Sequence, residues 1–178
     1  MSPTNVRRDW SRLNRLQLGK YAEYLAKMEF VLLGCDVFTS EVDDHGIDFV
    51  VRTRDARHFD VQVKSFRLPS KSTPYIFVPK DRFDISQSRL LALVQFVNGE
   101  DPNLFLLPAA VRTIPNPLLE SRDYGEGKQS PPEWGLTLSK RKLEALAQHW
   151  RFESVVAALQ GIADGCLDNE SAIPLTVL

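Results

Sequence analysis

The chain has 178 residues and a formal net charge of -1, with 22 Lys+Arg against 23 Asp+Glu. Hydrophobic residues make up 43% and charged residues 25%, the mix of one soluble globular domain rather than a disordered chain or two full cores. The balance excludes a protein whose bulk basicity alone would announce nucleic-acid binding, though not a local basic face. Cys35 and Cys166 are too few for a disulfide framework and too far apart for a zinc motif, so reduced thiols are expected.

The basic N-terminal stretch is not followed by an apolar leader segment, and neither FVLLG nor LLALVQFV approaches the ~20 residues needed to cross a bilayer. No membrane association and a cytoplasmic location are expected by elimination. Charge is uneven. Residues 1–20 carry Arg7, Arg8, Arg12, Arg15 and Lys20 against Asp9, and residues 51–90 are again basic. The acidic stretch between them holds Lys27 as its one base. Two basic segments flanking an acidic one suit attraction of phosphates towards it; solvated faces are the plainer alternative. Arg52, Arg54, Arg57, Arg67 and Lys71 are candidate phosphate contacts.

In chain order, Trp10 to Gly34 predicts a helix. Leu18, Tyr21, Ala22, Leu25, Met28 and Leu32 form its apolar stripe, and Gly34 follows its end. Cys35–Ser40 predicts a strand, Asp43 to Gly46 a turn, Ile47–Thr53 a second strand, and Arg54 to Arg57 a hairpin closure. His58–Arg67 is the clearest strand, with Phe59, Val61 and Val63 alternating with Asp60, Gln62 and Lys64. Tyr75–Pro79, Leu90–Val97 and Asn103–Pro108 predict further strands, with a helical turn at Asp84–Arg89. Residues 112–135 read as a long Pro- and Gly-rich connection. Ser139 caps a helix from about Lys140, and Phe152–Gln160 forms a last helix or its continuation. The expected architecture is α/β (α+β), a mixed central sheet flanked by helices, as one domain over residues 1–160 with a tail at 161–178.

Three segments carry the chemistry: GKYAE on the first helix, HGID opening the second strand, and VQVK on the third. Gln62 and Lys64 are two apart on a strand and leave one face. Read singly, each residue has a plain alternative. Glu23 could pair with Lys27 on an exposed helix face. Asp48 could cap the turn after Gly46. Gln62 and Lys64 could be the solvated side of a sheet.

Together, in this order, the segments resemble the PD-(D/E)xK nuclease superfamily, especially the branch of Mrr-like restriction endonucleases and archaeal Holliday-junction resolvases. The match covers roughly residues 18–67 and extends loosely to about residue 108. The resemblance implies a restriction-endonuclease-like fold, DNA as partner, a homodimer, and Mg²⁺ (or Mn²⁺) as cofactor. It implies the set Glu23, Asp48, Gln62 and Lys64 for hydrolysis of a phosphodiester bond, with Glu23, Asp48, Gln62 and the Val63 carbonyl holding the ion. Gln62 departs from the family's usual Glu and removes one negative charge from that set. A nuclease-fold module that binds nucleic acid or a protein without cutting is the alternative. His45 and His58 suit turn or surface roles, and no phosphate-cradling Gly-rich loop supports a nucleotide cofactor.

Overall fold

The computed structural model describes residues 6–39, 41, 46–109, 118, 120–124 and 130–161. The predicted turn residues Asp43 to His45, together with Cys166 and the tail beyond residue 161, lie outside the described residues.

The chain opens with two short 3₁₀ turns, Val6–Arg8 and Trp10–Arg12, and then helix α1, Arg15–Leu32. The helix begins at Arg15 rather than Trp10 because Asn14 caps it. The Asn14 side chain accepts from the Gln17 N–H and the Gln17 side chain accepts from the Asn14 N–H, a reciprocal capping box. The buried stripe also differs from the predicted one. Leu18, Ala22, Ala26 and Phe30 face inward, with Leu25 partly buried, while Tyr21, Met28 and Leu32 are exposed. The small alanines at four-residue spacing let the helix approach the sheet closely.

Strands β1 (Asp36–Phe38), β2 (Phe49–Arg52) and β3 (His58–Leu68) form the predicted antiparallel meander. Strand β4, Tyr75–Pro79, leaves this sheet. No helix forms at Asp84–Arg89, where a single turn is closed by the Arg89 N–H on the Ser86 carbonyl at 3.4 Å; a 3₁₀ turn lies earlier, at Lys80–Arg82. Strand β5, Arg89–Val97, returns to lie parallel to β3, and β6, Asn103–Pro108, pairs antiparallel with β5. The sheet order is β1-β2-β3-β5-β6. β5 sits in the interior of this sheet, and its apolar run Leu90–Val94 suits a strand covered on both faces.

The segment read as a connection contains structure. Strands β7 (Glu120–Arg122) and β8 (Glu133–Thr137) form a second, three-stranded sheet with β4 in the order β4-β8-β7. Helices α2 (Lys140–His149) and α3 (Phe152–Leu159) follow, α2 capped by Ser139 as predicted.

Alternation assigns the faces of the large sheet. Phe49 pairs with Val61, and the Phe30 ring of α1 stands edge-on to both Phe49 and Phe152 of α3. The face carrying Phe49, Val61 and Val63 therefore packs on the helices, and Asp60, Gln62 and Lys64 leave the other face. Among the described residues, no helix is long and apolar enough to cross a membrane.

Candidate active site

β2 stops at Phe49, but β3 runs on, so its edge needs other partners. Asp48 supplies them. Its N–H donates to the Val61 carbonyl at 2.9 Å, and its Oδ2 accepts the Val63 N–H at 2.6 Å. The carboxylate therefore lies against the strand edge and extends the ladder beyond β2. The N–H and C=O of one strand residue leave the same edge, so the Val63 carbonyl also faces this side. Asp48 thus does more than cap the turn after Gly46.

Gln62 is 7% exposed, not solvated. Gly46, at φ +68°, comes close enough that a Cβ there would lie 3.1 Å from Gln62 Nε2. Arg89 holds this cover in place. Its guanidinium donates to the carbonyls of Gly46 (3.3 Å) and Arg82 (2.8 Å), lies over the Phe83 ring, and faces Asp60 at 3.7 Å. The covering arrangement leaves Gln62 Oε1 buried with no hydrogen-bond partner. Lys64, on the same face, is half-buried and makes no hydrogen bond or ion pair with the described residues.

Glu23 pairs with Lys20, one turn before it, at 2.5 Å, rather than with Lys27. Lys27 donates instead to Thr39 Oγ1 at 3.2 Å and lies over the rings of Tyr24 and Phe49. The hydrogen bond to Glu23 holds the Lys20 ammonium above the usual lysine value. Partial burial opposes this, and the charges of Glu23, Tyr24 and Asp48 reinforce it. Lys20 is therefore the partner of Glu23 on the surface of α1. Sequence reasoning did not single it out, although its place three residues before Glu23 in GKYAE was a readable signal.

The candidate phosphate contacts divide. Arg67 donates to the carbonyls of Trp10 and Leu13, and Arg57 to Asp55 and the Leu159 carbonyl. Both tie the fold internally. Arg52 pairs with Asp36, Arg54 lies against Gly34, and Lys71 is exposed. His45 lies outside the described residues; His58 is an exposed residue at the start of β3.

The structure brings Asp48 to the Val63 edge of β3, with Gln62 and Lys64 leaving one face of that strand, whereas Glu23 lies on α1, which packs on the opposite face. Among the described residues, no group of three His, Cys, Asp or Glu is placed to hold a metal ion. The orphaned Gln62 oxygen suits a hard cation, which takes amide and carbonyl oxygens alongside carboxylates and keeps waters in its remaining positions. Asp48, the Gln62 amide oxygen and the Val63 carbonyl are oxygen donors of the type such an ion takes.

Among solved structures, the chain is similar to a bacterial homing endonuclease, I-Ssp6803I, at 19% identity, over 85% of this chain and 96% of that one, with a TM-score of 0.48. A likeness at that level assigns no residue a role. No protein-family model and no curated protein matches the chain.

Proposed function

We propose that this protein is a divalent-metal-dependent endodeoxyribonuclease of the PD-(D/E)xK type, hydrolysing phosphodiester bonds in DNA as a restriction, resolvase or mobile-element enzyme. The observation that carries the reading is the orphaned Gln62 oxygen beside a strand edge whose next residues are the Val63 carbonyl and Lys64. Asp48, Glu23, Gln62 Oε1 and the Val63 carbonyl would hold Mg²⁺, or Mn²⁺ in its place. When bound, the ion supplies a Lewis acid for the phosphoryl oxygen and activation of a nucleophilic water.

The chain's own residues supply the rest. Lys64 holds its ammonium beside the ligand set, where it orients the attacking water and balances charge developing on the phosphate. Asp48, braced by the Val63 N–H, keeps its carboxylate fixed, so little reorganisation is needed on substrate binding. Paired cuts on a duplex suit a homodimer.

A second reading has its own support. Two carboxylates are a weak anionic set, which favours a nuclease-fold module that binds DNA without cutting. One experiment separates the two. Linear, nicked, branched and single-stranded DNA are incubated with the protein in Mg²⁺, in Mn²⁺ and in chelator. Metal-dependent cleavage lost in Asp48→Ala and Lys64→Ala supports the enzyme. Salt-dependent binding without cleavage of any substrate supports the module. Cleavage that persists in both variants would sink the assigned site.

A further inference from the structure

Helix α1 is apolar on two opposite faces. Leu18, Ala22, Ala26 and Phe30 face the core. Two places along a helix turn a side chain by about 200°, so Leu16, Tyr24, Met28 and Leu32 project straight away from that stripe. Val31 lies beside them. These five side chains are between 57% and 85% exposed. A helix on the surface of a globular protein ordinarily turns polar residues to this side, and large apolar groups gathered on one exposed face mark an interaction site.

Area and charge say what covers this face. A large side chain presents on the order of 200 Å², so the five exposures amount to roughly 700 Å² per copy, close to the ~800 Å² per partner of a stable interface. Lys20 and Lys27 flank the stripe, each with its ammonium 5.8 Å from the centre of the Tyr24 ring. Tyr24 lies midway between Leu16 and Leu32 in sequence. A two-fold axis at Tyr24 lays the helix antiparallel on its copy. Leu16 then stands opposite the partner's Leu32, Lys20 opposite the partner's Met28, and Tyr21 opposite the partner's Lys27. No lysine meets a lysine, and Lys27 meets an aromatic ring, which suits a cation. A parallel pairing would set Lys20 on Lys20 and Lys27 on Lys27, a like-charge arrangement that opposes association. The stripe is self-complementary in the antiparallel orientation, as an isologous interface requires.

We propose that the outer face of α1 is an interface between two copies of this chain, paired antiparallel about Tyr24. α1 packs on the sheet face opposite to Gln62 and Lys64, so this pair turns its two candidate sites away from each other. It is distinct from a pair that would set both sites across a single duplex, and it stands or falls independently of the cleavage chemistry.

The test is sedimentation of the protein, without DNA or metal, across the micromolar range. Wild type is expected to pass from monomer to dimer. Met28→Lys sets a charge against the partner's Lys20 twice by symmetry, and should raise the dissociation constant about a hundredfold. Phe77→Lys, an equally exposed change on the second sheet, should leave it unchanged. Thermal melting of dilute samples confirms that each variant folds. Register is read by oxidation in a Cys166→Ser background, where the remaining Cys35 is buried. Tyr24→Cys should form a disulfide with its own copy. Leu16→Cys should not, because eight residues from the axis at 1.5 Å each put the two copies about 24 Å apart. A wild type that stays monomeric overturns the interface, as does a Met28→Lys variant that pairs as tightly as wild type. Cross-linking of Leu16→Cys as readily as Tyr24→Cys overturns the antiparallel pairing. None of these results bears on whether the protein cuts DNA.

Discussion

Two polar clusters in this molecule differ in how completely they satisfy themselves. On the second sheet, Glu133 is 8% exposed and accepts the hydroxyls of Tyr75 (2.6 Å) and Tyr124 (2.8 Å). The Arg122 guanidinium lies 4.5 Å over the Tyr75 ring and bonds Glu120, which also takes Lys142. Each of these charges is answered within the cluster. At the β2–β3 edge, Gln62 Oε1 has no partner and Lys64 makes no bond with the described residues, although both are withdrawn from solvent. Polar networks that close on themselves hold structure; those left open are where a ligand completes the set.

The sharpest way to break this comparison is at Asp48. Asp48→Ala is expected to lower cleavage at least a hundredfold or so, and also to cost about 1–3 kcal/mol of stability, because the Val63 N–H loses its acceptor. Asp48→Asn keeps an acceptor for that N–H. It should lose cleavage to a similar degree while melting close to wild type. Denaturant titration beside a cleavage assay separates the two roles.

Glu133→Ala tests the closed cluster. Two tyrosine hydroxyls lose their acceptor, so about 1–3 kcal/mol of stability is expected to go, with cleavage per folded molecule unchanged.

Gln62→Glu should reverse sign with conditions. In chelator the buried carboxylate is uncompensated and the melting temperature falls. With Mg²⁺ added, the variant should gain more stability than wild type does, because the third charge strengthens the ion's site. Melting curves with and without the ion check this.

The smallest effect concerns pH. Burial, followed by the hydroxyl's bond to Glu133, pushes the Tyr75 phenol well above the usual tyrosine value of about 10. The folded state therefore holds this proton more tightly than the unfolded state. The resulting stability is complete below about pH 10 and is lost as pH rises towards the folded value. The stability gap between wild type and Tyr75→Phe should be constant near neutrality and narrow above about pH 10. Urea unfolding across that range reads it out.

Much of the fold was legible in the sequence because its strands are local and strongly patterned. The alternation of Phe59, Val61 and Val63 places β3, and turn chemistry places the meander. Three features were not legible. The parallel pairing of β3 with β5 is a long-range choice that no local window contains. β7 is three residues of polar sequence, and β8 is short and follows Pro131 and Pro132, so punctuation masked both strands. In α1, apolar residues occur on both sides, so Tyr21, Met28 and Leu32 were read into the stripe while Ala26 and Phe30, which pack inward, were not. At the candidate site, the order of Glu23, Asp48, Gln62 and Lys64 was readable. The burial of Gln62 was not, because it depends on Gly46 and Arg82 being brought over β3 by Arg89, and Gly46 lies far from the other two in the chain.

Strand β4 lies between β3 and β5 in sequence yet takes its partner, β8, from close to the C-terminal helices. Trimming the gene after residue 109 would retain all the proposed ligands and still yield a poor reagent. Such a fragment would present β4 as a bare edge carrying the aromatic side chains of Tyr75 and Phe77, a template for clumping rather than a minimal enzyme.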